Sequence, residues 1–143
     1  MKVNIEITKN NPLGIVKLNF KKEYIISGII CCIGIIIRSF TEDNNTGNIN
    51  LISGLAVHFI NGIDNNHFTE KGITRFGNQV IKNLKTFIED NKKNKIQLDL
   101  ITNKSTPDSI ISKLKNIFIE NKKIINLEIK HTTNTGRIEF NPT

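Results

Sequence analysis

Apolar and polar residues alternate over Val3, Ile5 and Ile7, and again over Val16, Leu18 and Phe20. A two-residue period is the mark of a strand buried on one face. The cluster Asn10-Asn11-Pro12-Leu13-Gly14 between them is rich in turn formers, so the pattern predicts an N-terminal β-hairpin. The stretch from Tyr24 to Phe40 is too uniformly apolar for its period to separate strand from buried helix. Its β-branched isoleucines favour strands covered on both faces, with Gly28 or Gly34 marking a bend or a close backbone approach. Thr41 to Asn50 reads as a loop, and Leu55 to Ile60 as a short buried strand ended by Asn61-Gly62.

Beyond residue 69 the period changes. Thr69 stands where an N-cap belongs, and Ile73, Phe76, Val80, Leu84, Phe87 and Ile88 follow at helical spacing. Ile96, Leu98 and Leu100 alternate with Gln97 and Asp99, which gives a strand. Thr106-Pro107-Asp108 then supplies a cap, a first-turn proline and a first-turn acid. Ile110, Ile111, Leu114, Ile117 and Phe118 make one apolar stripe behind it. Leu127 and Ile129 return to strand spacing, Asn134-Thr135-Gly136 turns the chain, and Ile138 with Phe140 completes a C-terminal hairpin. Phe87-Ile88-Glu89 before Asn91-Lys92-Lys93 is echoed by Phe118-Ile119-Glu120 before Asn121-Lys122-Lys123, about the spacing of one βα unit. Strands alternating with amphipathic helices form βαβ units. The predicted fold is therefore α/β, with α+β as the alternative. It is a single domain over residues 1–143 with a mixed sheet and a hairpin at each end.

Composition supports a folded chain. Of 143 residues 38% are hydrophobic and 23% charged, outside the range of chains that stay disordered. Ile, Asn and Lys number 28, 21 and 17, whereas Arg occurs three times. The net charge of +7 is carried wholly by residues 71–143, with fourteen basic and seven acidic side chains, while residues 1–70 hold six of each. It gathers at predicted helix ends, at Lys92, Lys93 and Lys95 and at Lys122 and Lys123, away from the strand ends where α/β sheets bind ligands. Such a basic rim fits a docking surface better than a single basic cleft. Cys31 and Cys32 are adjacent, a spacing that suits neither a mutual disulfide nor a Cys-based zinc site. The uncharged run from Tyr24 to Ile37 is shorter than the ~20 residues of a membrane-spanning helix. No membrane insertion and a cytoplasmic location are expected.

Two loops carry candidate chemistry. The first offers His58, Asp64, His67, Glu70 and Arg75 within 18 residues, groups that acid–base catalysis on a phosphodiester would use. Their spacing matches no metal motif, and His58 between Val57 and Phe59 also suits a hydrogen-bonded core histidine. The second offers Asn103, Lys104, Ser105 and Thr106 at a helix start, a place for an anion or phosphate. His131, with Thr132, Thr133 and Arg137, forms a third polar group on the last hairpin. No glycine-rich phosphate cradle is present, and the basic half lacks the aromatic platforms and arginines of a nucleic-acid reader. No cofactor or metal is implied.

These features favour a small non-catalytic module that binds another protein, for example as the inhibitor or immunity partner of a toxin. A nucleotide- or phosphate-binding module, and a small nuclease or nucleotide hydrolase using the His58–Glu70 region, are the alternatives.

Overall fold

The computed structural model describes residues 2–27, 29, 32–60, 78–104, 106, 108–119, 124–132 and 136–143, with backbone alone for Cys32, Ile60, Ile124 and Ile125. Among them are β1 (Lys2–Asn4), β2 (Ile15–Lys17), β3 (Glu23–Ile26), β4 (Cys32–Glu42), β5 (Ile49–Ile60), α1 (Asn78–Asp90), β6 (Lys95–Thr102), α2 (Asp108–Ile119), β7 (Ile124–His131) and β8 (Ile138–Phe140). The fold is mixed α/β, as the alternation of periods predicts.

Five strands form the larger sheet in the order β2-β5-β4-β6-β7, and three form a smaller one in the order β1-β3-β8. Strand β4 is antiparallel to both its neighbours, β5 and β6, so β5 and β6 run the same way on either side of it. Strand β7 is parallel to β6. Each helix therefore lies in a βαβ connection: β5-α1-β6 steps over β4, and β6-α2-β7 joins neighbours.

Each face of the larger sheet carries a hydrophobic core. On one, Ile33, Ile35, Ile37, Val57, Phe59, Leu98 and Leu100 meet Val80, Leu84 and Ile88 of α1 and Ile110, Leu114 and Phe118 of α2. On the other, Ile36, Ala56 and Ile101 meet Ile5, Tyr24 and Ile26 of the smaller sheet and its flanks. The result is three layers: helices, large sheet, small sheet. No helix among the described residues is long and apolar enough to cross a membrane.

Within the stretch from Tyr24 to Phe40, residues 24–26 lie in β3 and residues 32–40 in β4, one in each sheet, and none of its described residues is helical. Gly34 is the close approach that the sequence suggests. It lies opposite Ile101, and a Cβ there would come 3.0 Å from Ile101 Cβ and from Ile29 Cδ1.

Neither terminal hairpin forms. Strand β1 pairs with β3 in parallel and β2 pairs with β5, so the Asn10–Gly14 turn carries the chain from one sheet to the other. Of the expected pairing only the Thr8–Asn11 bridge remains. Strand β8 likewise pairs with β3, while β7 pairs with β6. Alternation shows that one side of a strand is buried; it does not select the hydrogen-bonding partner. Here both strands of each expected hairpin bury apolar side chains, in different sheets.

The loop expected over Thr41–Asn50 is shorter, and the strand expected over Leu55–Ile60 longer. Strands β4 and β5 make one long hairpin, turned at Asp43–Asn48 by the Gly47 amide donating to the Asp43 carbonyl at 2.7 Å. Gly47 has a φ of 72°, a conformation that glycine adopts without strain.

Candidate functional site

The smaller sheet does not cover the whole of the face it packs on. Toward the Asp43–Asn48 turn the sheet runs beyond it, leaving a cleft of about 410 Å³ lined by Arg38, Phe40, Ile49, Asn50, Leu51, Gln97, Pro142 and Thr143. Strands β4, β5 and β6 supply its floor, and the segment after β8 supplies a wall.

A register shift builds that floor. Ser39 pairs with Ser53 but Phe40 pairs with Leu51, so Ile52 is an extra residue in β5. A bulge of this kind changes which side chains share a face. It sets Leu51 opposite Phe40 at the cleft and leaves Ile52 50% exposed. Ile49, where β5 begins, is 60% exposed.

Beneath the cleft lies Asp99, 1% exposed. Its Oδ2 accepts from Arg38 Nη2 at 3.2 Å and from Lys130 Nζ at 3.3 Å, and its Oδ1 accepts from Gln97 Nε2 at 3.1 Å. Arg38 Nη1 also donates to the Pro142 carbonyl at 3.2 Å. Two cations thus share one buried carboxylate, and the guanidinium is held by two elements at once. This group is absent from the expectations above. The alternation over Ile96–Leu100 predicts a solvent-facing Asp99, because a second sheet on that face is invisible to it. The available signal was a lone arginine closing the apolar run, with no means of naming its partner.

The expected residues are placed as follows. His58 lies on β5, where its Nδ1 donates to the Ile5 carbonyl at 3.0 Å and joins the larger sheet to the chain after β1. Asp64, His67, Glu70 and Arg75 lie outside the described residues, as does Ser105. Asn103 and Thr106 turn toward each other. The Thr106 hydroxyl accepts from the Asn103 amide at 3.1 Å, and the Asn103 side-chain amide donates to the Ile29 carbonyl. Lys104 beside them is exposed. His131 Nδ1 lies 3.0 Å from the Thr102 hydroxyl, tying the ends of β6 and β7. Among the described residues no three His, Cys, Asp or Glu side chains gather as metal ligands would.

Away from the cleft, Glu139 on β8 takes Lys2 at 2.7 Å and Arg137 at 2.6 Å. Hydrogen bonds from these two cations hold its carboxyl below the ordinary carboxylate value.

No protein-family model matches the chain, and no curated protein is similar enough to it to count as a relative.

Proposed function

We propose that the chain is a non-catalytic protein-binding module, acting as an inhibitor or immunity-type partner of a toxin would, and that it takes its partner along the outer edge of β5. The observation that supports this reading is the edge itself. Strand β2 pairs with β5 only over Leu55–Val57, and the Gly54 carbonyl accepts from Leu18. Among the described residues, no strand pairs with the outer side of Ile49–Ser53.

Free edges of soluble proteins are commonly blunted by charge or proline. The segment Ile49-Asn50-Leu51-Ile52-Ser53 has neither, and it exposes Ile49 and Ile52. An extended segment of a partner would gain main-chain hydrogen bonds along this edge and apolar contact with the two isoleucines.

The test is site-specific photo-crosslinking in the producing cell, with the crosslinking side chain at Ile52 or, as the comparison, at Lys82 on the exposed face of α1. The expected outcome is one defined adduct from position 52 and none from position 82. Equal, diffuse labelling at both positions overturns the reading.

A further inference from the structure

We infer that the Arg38 cleft is a binding site for a carboxylate carried on an apolar body. The inference stands on the cleft alone and does not require a partner at the β5 edge.

Charge is the first ground. Arg38 and Lys130 converge on a single oxygen of Asp99, and no second carboxylate pairs with either among the described residues. Among the described residues the Asp99 carboxylate is thus shared between two cations, and Arg38, whose side chain is 20% exposed, is only partly neutralised by it at the cleft, a setting where Coulomb attraction is stronger than in open water.

Geometry is the second. A guanidinium carries five N–H donors. Arg38 gives one to Asp99 and one to the Pro142 carbonyl, which fix its plane, and among the described residues no other acceptor takes the remaining three. A planar fork held in place is suited to a carboxylate, and its holding contacts reduce the entropy lost on binding.

The walls are the third. Phe40, Leu51 and Pro142 are apolar, Asn50 and Gln97 are neutral, and no acidic side chain among the described residues lines the space. A volume of about 410 Å³ accommodates a small ligand or the end of a chain. One partly neutralised guanidinium among apolar walls matches a monoanion with an apolar body. It does not match phosphate, which carries more charge and needs more donors.

The probe is 4-phenylbutyrate, titrated into the full chain and followed by the NMR shifts of backbone amides and of Arg38 Nε–H. Saturable shifts confined to Arg38, Phe40, Leu51 and Gln97 are expected. The neutral 4-phenylbutan-1-ol should bind about tenfold more weakly, the effect of losing one charge-assisted contact, and inorganic phosphate, which lacks the apolar body, should also bind about tenfold more weakly. Arg38→Gln should weaken phenylbutyrate by a similar factor. Leu51→Asp places an acid in the cleft without touching the Asp99 group, and it should do the same should the first variant fold poorly.

Two sources of such a carboxylate are separated by N-acetyl-leucyl-phenylalanine and its amide. Binding of the free acid about tenfold tighter than phenylbutyrate, and lost in the amide, identifies the end of a polypeptide. Binding no tighter than phenylbutyrate identifies a small organic acid. Equal affinity for phenylbutyrate and the alcohol overturns the inference, as do shifts that map to Lys82 and Lys85 on α1.

Discussion

Asp99 and Gly34 show how one residue can answer to two sheets and a neighbour strand. A buried carboxylate is tolerated where its acceptors are filled, and Asp99 has three donors on its two oxygens. Asp99→Asn keeps the shape but removes the charge that Arg38 and Lys130 share. The side chains of Arg38 and Lys130 are 20% and 43% exposed, so water would screen part of the loss. We expect a destabilisation of about 1–3 kcal/mol, less than that of breaking a fully buried pair, measured by urea unfolding. Gly34→Ala should cost about 1–3 kcal/mol by overpacking, although alanine usually suits a strand better than glycine. Ile101→Val should not rescue it, since valine keeps the Cβ that the new methyl meets at 3.0 Å. A Gly34→Ala protein as stable as the parent would show that β4 and β6 can move apart.

Among the elements, α2 and β5 differ in what their apolar residues do. In α2 the stripe Ile110, Leu114, Phe118 is wholly committed to the core. Leu114→Ala should lose about 2–5 kcal/mol, read from the same unfolding curves. In β5 the alternation Val57, Phe59 is committed in the same way, but Ile52 sits on a bulge and faces solvent. Ile52→Lys should change stability by no more than about 0.5 kcal/mol, since it removes no core contact. It should nevertheless abolish any adduct captured from a crosslinker at Ser53, because a charge on the edge opposes strand addition. Retained capture would move the partner away from this edge. The helices were legible in the sequence because an apolar stripe is a local property; of the expected caps, Thr69 lies outside the described residues, and the Thr106 hydroxyl bonds back to Asn103. The bulge was not, since Ile-Asn-Leu-Ile alternates equally badly in either register.

Across the whole molecule, the small sheet is joined to itself by charge as well as by packing. Lys2 on β1 and Glu139 on β8 bridge across β3, whose Tyr24 stacks on Phe140 of β8 with ring centroids 5.6 Å apart. The Glu139 carboxyl titrates below its ordinary value of 4.5 because Lys2 and Arg137 favour its charged form. A lowered folded-state value means that the stabilisation is present above pH 4.5 and is lost as the pH falls through the folded value. Urea midpoints followed downward from neutral pH should therefore fall less steeply for Glu139→Gln than for the parent in that window. Identical slopes would mean that the bridge adds nothing in solution. The basic rim expected from the sequence is likewise qualified by pairing. Lys92 reaches Glu89 at 3.5 Å and Lys95 reaches Glu42 at 2.7 Å, so part of that charge is balanced at the surface.

The amino-acid sequence alone carries the α/β class, the two amphipathic helices, the core positions of β6 and α2, and the choice of Gly28 or Gly34 as a bend or close approach, of which the structure shows Gly34 as a close approach. All of these follow from period and side-chain size, which act over a few residues. Only the tertiary structure decided that β1 and β8 flank β3 and that the large sheet is covered on its second face. It alone made Asp99 a buried partner of Arg38 and left the outer side of Ile49–Ser53 without a strand partner among the described residues. Strand pairing and burial of the polar face depend on contacts between residues far apart in the chain, such as Arg38 with Asp99 and Lys2 with Glu139. An alternating pattern is equally satisfied by a neighbouring hairpin strand, by a distant one, or by a second sheet. Hydrogen-bond geometry and packing between layers make that choice.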